Sequence, residues 1–345
     1  MITLLASFAL SRAFTTSLEW EVVYLHPEGQ FRHSMGTSIR GGQQAGIVTN
    51  DRARAGNGAI WTGSAQSFIY LGSGYINDTD GKQQVGQTWS EHSPARARLW
   101  MGSQTSRVTL HPDWASASGV YGVDGGRQVG YTVRESEGGR AAIWSGSAKS
   151  WRSLHPSGAV WSEALDIHRK VQVGVAQFTD GIPLAGLWRG NSKSWTSLHP
   201  ANTSRSRAIG AYGNTQVGVT QTADPGEEPW WPEVPTHAAL WSGTADSWVD
   251  LQPDSWGSYA VAVWERFQVG WTVYQDFEGP TRACIWQGSP STYTDLHQFL
   301  SSDFDESKAS DVWFSGSKVY VIGTGEINSE GGGSRAVMWI GTPTE

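Results

Sequence analysis

Apolar and small residues alternate with polar ones over runs of about four to seven positions, and each run is bounded by Gly, Ser, Asn or Pro. Alternation with period two is the mark of short, half-buried β-strands. The runs recur in register. A Trp-x-Gly triplet begins at Trp61, Trp100, Trp144, Trp188, Trp241, Trp286 and Trp339. A Leu-His-Pro element, or a worn form of it, begins at Leu25, Leu71, Leu110, Leu154, Leu198, Leu251 and Leu296. A Gln-Val-Gly element, or a variant, ends at Gly46, Gly86, Gly130, Gly174, Gly218, Gly270 and Gly323. Three independent markers therefore agree on seven units of about 44 residues, a period that points to a repeat architecture.

Each unit reads as four strands, A to D; in the fourth unit these fall at about 162–168, 171–178, 184–189 and 194–198. Four short strands per unit, repeated radially, are the blade of a β-propeller. The expected fold is all-β: a seven-bladed propeller of four-stranded blades. The chain ends predict how it closes. Trp20 to Pro27 matches strand D of other units but has no strand C before it, while Ala336 to Trp339 matches strand C with almost nothing after it. The N-terminal strand is thus expected to complete the last blade and remove an exposed sheet edge. Residues 1–17 are expected to form an arm, and 18–345 one propeller domain. The apolar run from Met1 to Leu10 before Ser11-Arg12-Ala13 resembles a short signal segment that lacks a basic start.

Spacing separates frame from decoration. Each internal Trp of Trp-x-Gly lies ten residues before the next Leu, and strand A opens twelve residues before the Gly of Gln-Val-Gly in six units. The A–B and C–D hairpins are therefore fixed. The D–A connection runs from three residues (Leu71 to Gly74) to eleven (Leu296 to Ser307), and B–C reaches 23 (Gly218 to Trp241). Because strands within a blade are antiparallel, D–A and B–C connections emerge on one face, and variation confined to one face marks a binding face. The longest insertion, between Asp224 and His237, carries four prolines, Glu227 and the adjacent pair Trp230 and Trp231. With Trp114, Trp161 and Trp256 in D–A connections and His237 at the end of the insertion, these form the candidate ligand-binding set.

Recurrent residues read differently. The seven Trp of Trp-x-Gly are expected between blades, and Trp151, Trp195, Trp248 and Tyr293 over the outer strand. The histidines after the recurrent Leu, such as His111 and His155, are expected to serve as a turn device bonding the next blade. The residues at the A–B turn, Arg40, Asp80, Asp124, His168, Tyr212, Trp264 and Trp313, could shape the second channel mouth.

Composition narrows the partners. Only 17% of residues are charged, and 42 of 345 are Gly, against averages of about 25% and 7%, which suits strands and turns. A net charge of -7 with no basic stretch argues against nucleic acid and anionic membranes. No apolar run reaches the ~18 residues of a membrane span. A single Cys excludes an internal disulfide and a cysteine-based zinc site. No nucleophile elbow, zinc-protease, P-loop or dinucleotide motif occurs, and no catalytic residue, metal or cofactor is expected.

Tyr75-Ile76-Asn77-Asp78 running to Gln84-Val85-Gly86, followed by Leu99-Trp100 and a Leu ten residues on, resembles the HAF-type probable extracellular repeats over Leu25 to Trp339. The Leu-His-Pro element and the Trp-x-Gly-Ser turn depart from that pattern. The resemblance implies an extracellular or cell-surface location and assigns no catalytic residue. The leading expectation is a monomeric, non-enzymatic binding module that uses the variable face, with carbohydrate the favoured ligand, since Trp faces suit the apolar face of a sugar ring. A protein-interaction scaffold is the alternative, and a glycan-active hydrolase or lyase a further one.

Overall fold

A computed structural model describes residues 17–50, 56–90, 93–135, 137–179, 181–221, 235–275, 279–329 and 332–344. It contains seven antiparallel four-stranded sheets, each one blade. Strand A of blades 1 to 7 spans His33–Arg40, Tyr75–Thr79, Ala117–Asp124, Trp161–His168, Arg205–Tyr212, Gly257–Trp264 and Glu306–Ser315. Each A strand contacts the A strands of both neighbouring blades, so these seven form the inner ring. Strand D is short, two residues in blades 2 to 6, each entered through a 3-10 turn such as Ser192–Ser194.

The ring closes as the chain ends predict. Leu18–Tyr24 pairs antiparallel with strand C of blade 7, Gly333–Pro343, in the register Val22 to Trp339. It is the outer strand of that blade. Glu19 and Glu21 are exposed along it, and charges on an edge strand discourage pairing with another chain.

The apolar core is not central. It is divided into seven clusters, one between each pair of adjacent blades. Between blades 2 and 3, Val85, Leu99 and Leu110 of one meet Val120, Val123 and Trp144 of the next; the other six clusters repeat the arrangement. All seven Trp of Trp-x-Gly are 0% exposed, as their recurrence predicts. Cys284 is buried in the cluster between blades 5 and 6. Trp195 lies on the outer side against Trp188, ring centroids 4.6 Å apart.

Two hydrogen-bonded devices set the register of this packing. The first joins two strands and a D–A connection. The Ser162 hydroxyl opens strand A of blade 4 and accepts the Ala141 N–H of blade 3 at 2.9 Å, while Nδ1 of His155 lies 2.7 Å from the same oxygen. Nε2 of His155 donates to the Ala159 carbonyl at 2.9 Å, so Nδ1 is left as the acceptor of the hydroxyl proton. The same triad recurs at His26, His111, His199 and His297, and Gln252 replaces the histidine before blade 6. A Ser–His pair could serve as nucleophile and base. Here Ser162 is 0% exposed and already takes a backbone N–H, so the pair is structural.

The second device explains the Gln of Gln-Val-Gly. Gln128 is fully buried and its Oε1 accepts the N–H of Gly146 in the Trp-x-Gly turn at 2.8 Å; Gln44, Gln84, Gln172, Gln216 and Gln268 do the same in their blades. The clamped glycines have φ between 77° and 89°, the left-handed region that a Cβ disfavours. In blade 7 the corresponding residue is Val321, opposite Trp339. That blade has no C–D turn to clamp, because its strand D comes from the N-terminus. Gly341 is retained there for another reason: a Cβ would lie 2.9 Å from the Trp20 ring.

Gln128→Leu should cost about 1–3 kcal/mol, the price of a buried N–H left without an acceptor, read as a lower urea midpoint at unchanged slope; an unchanged midpoint would remove the clamp from the account. The histidines predict acid sensitivity. Burial holds His26, His111, His155 and His297 below the ordinary value of 6.5. A depressed folded pKa gives stability that is complete above 6.5 and is lost as pH falls through the folded values. Thermal melts should therefore fall as pH drops from 7.5 to 5, and less steeply in His155→Gln, whose side chain blade 6 already accepts at Gln252. Equal slopes would refute this.

Candidate functional site

Two features of the inner ring could meet a ligand: the channel along its axis and a cleft beside its variable-face mouth. The channel is shaped by one backbone irregularity. Every strand A carries a β-bulge, with the register shifting across Thr37, Asn77, Tyr121, Leu165, Ile209, Val261 and Ser310. A bulged residue is left out of the ladder and re-aimed. All seven line a channel cavity of about 160 Å³.

The residue after each bulge is an aspartate in blades 2, 4 and 7. Asp78 accepts the Thr79 N–H at 2.7 Å and, across the interface, the Val123 N–H at 2.7 Å. Asp166 bridges Ile167 and Ala211 in the same way, and Asp311 bridges Val312 and Ile39. Each carboxylate thus ties its own blade to the next. Burial raises all three, and the neighbouring carboxylates Asp166 and Asp311 add to the effect on Asp78, which is pushed up to about 8; Asp166 is pushed up to about 6. Among the described residues no group of His, Cys, Asp or Glu is placed to hold a metal ion. Asp80 forms an Asx turn, its Oδ1 accepting the Lys82 and Gln83 N–H groups.

The A–B mouth is crossed by side chains. The Arg40 guanidinium of blade 1 lies 3.9 Å from the ring of Trp264 in blade 6, which packs on Tyr212 at 4.4 Å; Tyr212 stacks on His168 at 4.4 Å. Blade 7 lies between blades 1 and 6, so the arginine reaches over the opening.

The variable face carries a cleft. A cleft of about 330 Å³ lies over blade 5, between blades 4 and 6. Trp161 of blade 4 forms one wall; Tyr259 and Trp271 of blade 6 form the other, their rings stacked at 5.0 Å. Between the walls, Arg205 and Arg207 alternate on strand A of blade 5 with the buried Ser206 and Ala208. Arg207 pairs with Glu163 at 3.4 Å. Burial raises the Glu163 carboxyl, and Arg207 opposes that. Gln221, the last residue of strand B in blade 5, and Thr236, the first of strand C, both line the cleft, and the Tyr259 hydroxyl reaches Thr236 at 3.4 Å. Ile209 lines both cleft and channel, so the two are adjacent.

The structure disperses the candidate set. Trp161 lines the cleft. Trp114 lies one blade away, edge-on to Trp151 at 4.8 Å and beneath Arg134. Trp256 is half-buried in the D–A connection entering blade 6 and does not line the cleft. His237 bonds Asp250 at 2.8 Å across strands C and D of blade 5, one residue on from Thr236 and so on the opposite side of its strand. Glu227, Trp230 and Trp231 lie outside the described residues. Arg205, Arg207, Tyr259 and Trp271 were not singled out by sequence. They occupy fixed positions beside the Ser and Gln-Val-Gly markers, and the available signal was that residue type at those positions changes from blade to blade.

No family model matches the chain, so membership of the HAF-type family is not established, and no curated protein matches it by sequence. Solved structures do match in shape. Prolyl oligopeptidase B from Galerina marginata is 11% identical at a TM-score of 0.52, over 90% of this chain and 47% of that one. Puromycin hydrolase is 10% identical at 0.51, over 88% and 53%. The Pyrococcus horikoshii acylaminoacyl peptidase is 10% identical at 0.51, over 91% and 54%. The chain spans about half the length of these proteins, and at such identities the likeness shows the propeller fold. No helix among the described residues is long and apolar enough to cross a membrane.

The channel aspartates give the alkaline side of the stability profile. A folded pKa raised from 3.8 to about 8 means that Asp78 contributes stability fully present below 3.8 and lost as pH rises through about 8. Melting temperature should fall between pH 6.5 and 9, and that fall should shrink in Asp78→Asn, whatever its absolute stability. An equally steep fall in the variant would show that Asp78 does not titrate there.

Proposed function

We propose that this chain is a binding module that takes a carbohydrate in the variable-face cleft over blade 5. The observation that carries this reading is the pairing of aromatic walls from two different blades around polar side chains: Trp161 on one side, Tyr259 and Trp271 on the other, with Arg205 and Arg207 between. An aromatic face takes up the C–H face of a sugar ring, while arginine N–H groups donate to ring and hydroxyl oxygens. The rigid frame holds the walls apart without a ligand, so little ordering entropy is spent on binding.

A peptide ligand is the second reading. Val160, next to Trp161 in the chain, and Ile182, next to the cleft residue Pro183, are 51% and 39% exposed, and exposed apolar groups at the rim of a cleft suit a side-chain anchor.

A glycan array run beside a peptide array tests both. The wild type should bind a restricted set of glycans, Trp161→Ala and Trp271→Ala should abolish that binding while keeping the native circular dichroism, and Trp114→Ala should preserve it. Silence on the glycan array from folded wild type would overturn the carbohydrate reading, and binding on the peptide array alone would replace it with the second.

A further inference from the structure

We infer that the sugar held in this cleft is an acidic one, a uronate-bearing oligosaccharide whose carboxylate sits on Arg205 and Arg207. The inference rests on the carbohydrate reading and adds the sign of the ligand's charge.

The argument is one of local against global charge. The chain as a whole carries -7, and nonspecific attraction would favour cations. The cleft departs from that average. Two cations, Arg205 and Arg207, line it. The carboxylate engaged there is that of Glu163, paired with Arg207. Among the described residues Arg205 has no ion pair. Among the described residues, two guanidinium groups meet one carboxylate in the cleft, which leaves that lining positive, and charges farther away than the ~8–10 Å screening length do little to cancel it.

The residue types point to a carboxylate. Guanidinium groups are planar forks that engage carboxylates through two parallel N–H bonds, and apolar, partly dehydrated walls strengthen such bonds. A cation that served only the fold would be paired, as Arg207 is, or would lie along the outer surface. Arg205 instead stands between two aromatic walls, where a neutral apolar ligand would bury its charge without compensation. A uronate satisfies both parts of the cleft at once: its C–H face stacks on Trp161 or Trp271, and its carboxylate reaches the arginines. Arg207 is already shared with Glu163, so Arg205 carries the larger part of the discrimination.

The test is calorimetric titration with oligouronates of the galacturonate, glucuronate and mannuronate series, each beside its methyl ester, which keeps the sugar skeleton and removes the charge. At least one oligouronate should bind, its affinity should fall roughly tenfold or more on esterification, and added salt should weaken it. Arg205→Gln, folded by circular dichroism, should lose most of the difference between acid and ester, and Arg205→Lys should recover only part of it. If acid and ester bind wild type equally, the charge inference fails and the carbohydrate reading survives. If neither binds but neutral or sulfated glycans do, the ligand is a sugar of another kind and the inference also fails. If no glycan binds, both fall.

Discussion

The interface between neighbouring blades is what this molecule depends on. A four-stranded sheet with a two-residue outer strand cannot bury its own faces. Each blade therefore stakes its Trp of Trp-x-Gly on the blade before it, and all seven are fully buried. Removing a buried Trp costs about 3–5 kcal/mol, whereas a neutral hydrogen bond contributes about 0.5–1.5. Packing supplies most of the stability, then, and the Ser–His and Gln–Gly bonds choose among packings of similar energy. They fix which strand position faces which, and so keep seven repeats of unequal loop length in one ring. Because the interfaces form a cycle, the pairing of Leu18–Tyr24 with blade 7 matters beyond its own bonds: it completes the outer side of the last blade.

The axis obeys a different constraint. Seven A strands converge, and only small residues or well-bonded carboxylates fit after the bulge. In blade 3 this is Gly122, where a Cβ would come within 2.9 Å of Asp166 Cα, and in blade 5 it is Gly210. Asp78, Asp166 and Asp311 each cross to the next blade and bond a backbone N–H there. A carboxylate in every blade would pack like charges around the axis, and spacing them apart relieves that. Seven is odd, so alternation cannot close. Blades 5 and 6 are the adjacent pair that both lack the carboxylate, with Gly210 and Ala262 in its place.

Much of the fold could be read from the sequence because the frame is stereotyped: the Trp-to-Leu spacing of ten gave the C–D turn, and the complementary chain ends gave the closure. The bulges were hidden for the same reason. An extra residue present in every strand A leaves no length difference to detect, and with it went the channel aspartates. The candidate site was legible only in part. The variable face was marked by its loop lengths, and Trp161 was found there. Trp114 and Trp256 were grouped with it because they share a connection type, yet the ring carries successive blades around the axis and separates them. The residues that wall the cleft with Trp161 sit at positions of constant spacing, where an aromatic or an arginine looks like one more member of a repeat.

That placement has a physical consequence. Arg205, Arg207, Tyr259 and Trp271 stand at positions whose neighbours on either side, Ser206, Ala208, Ser258 and Gly270, are buried between strands and perform the stitching. In a β-strand, adjacent residues face opposite ways. The frame and the cleft therefore use alternate residues of the same strands. One set is held constant by the requirement that blades dock in register. The other is free to change from blade to blade without disturbing the interfaces, and in blades 4 to 6 it has taken on aromatic and cationic side chains. The rigidity that holds the two walls apart is thus borrowed from interfaces to which the walls contribute little.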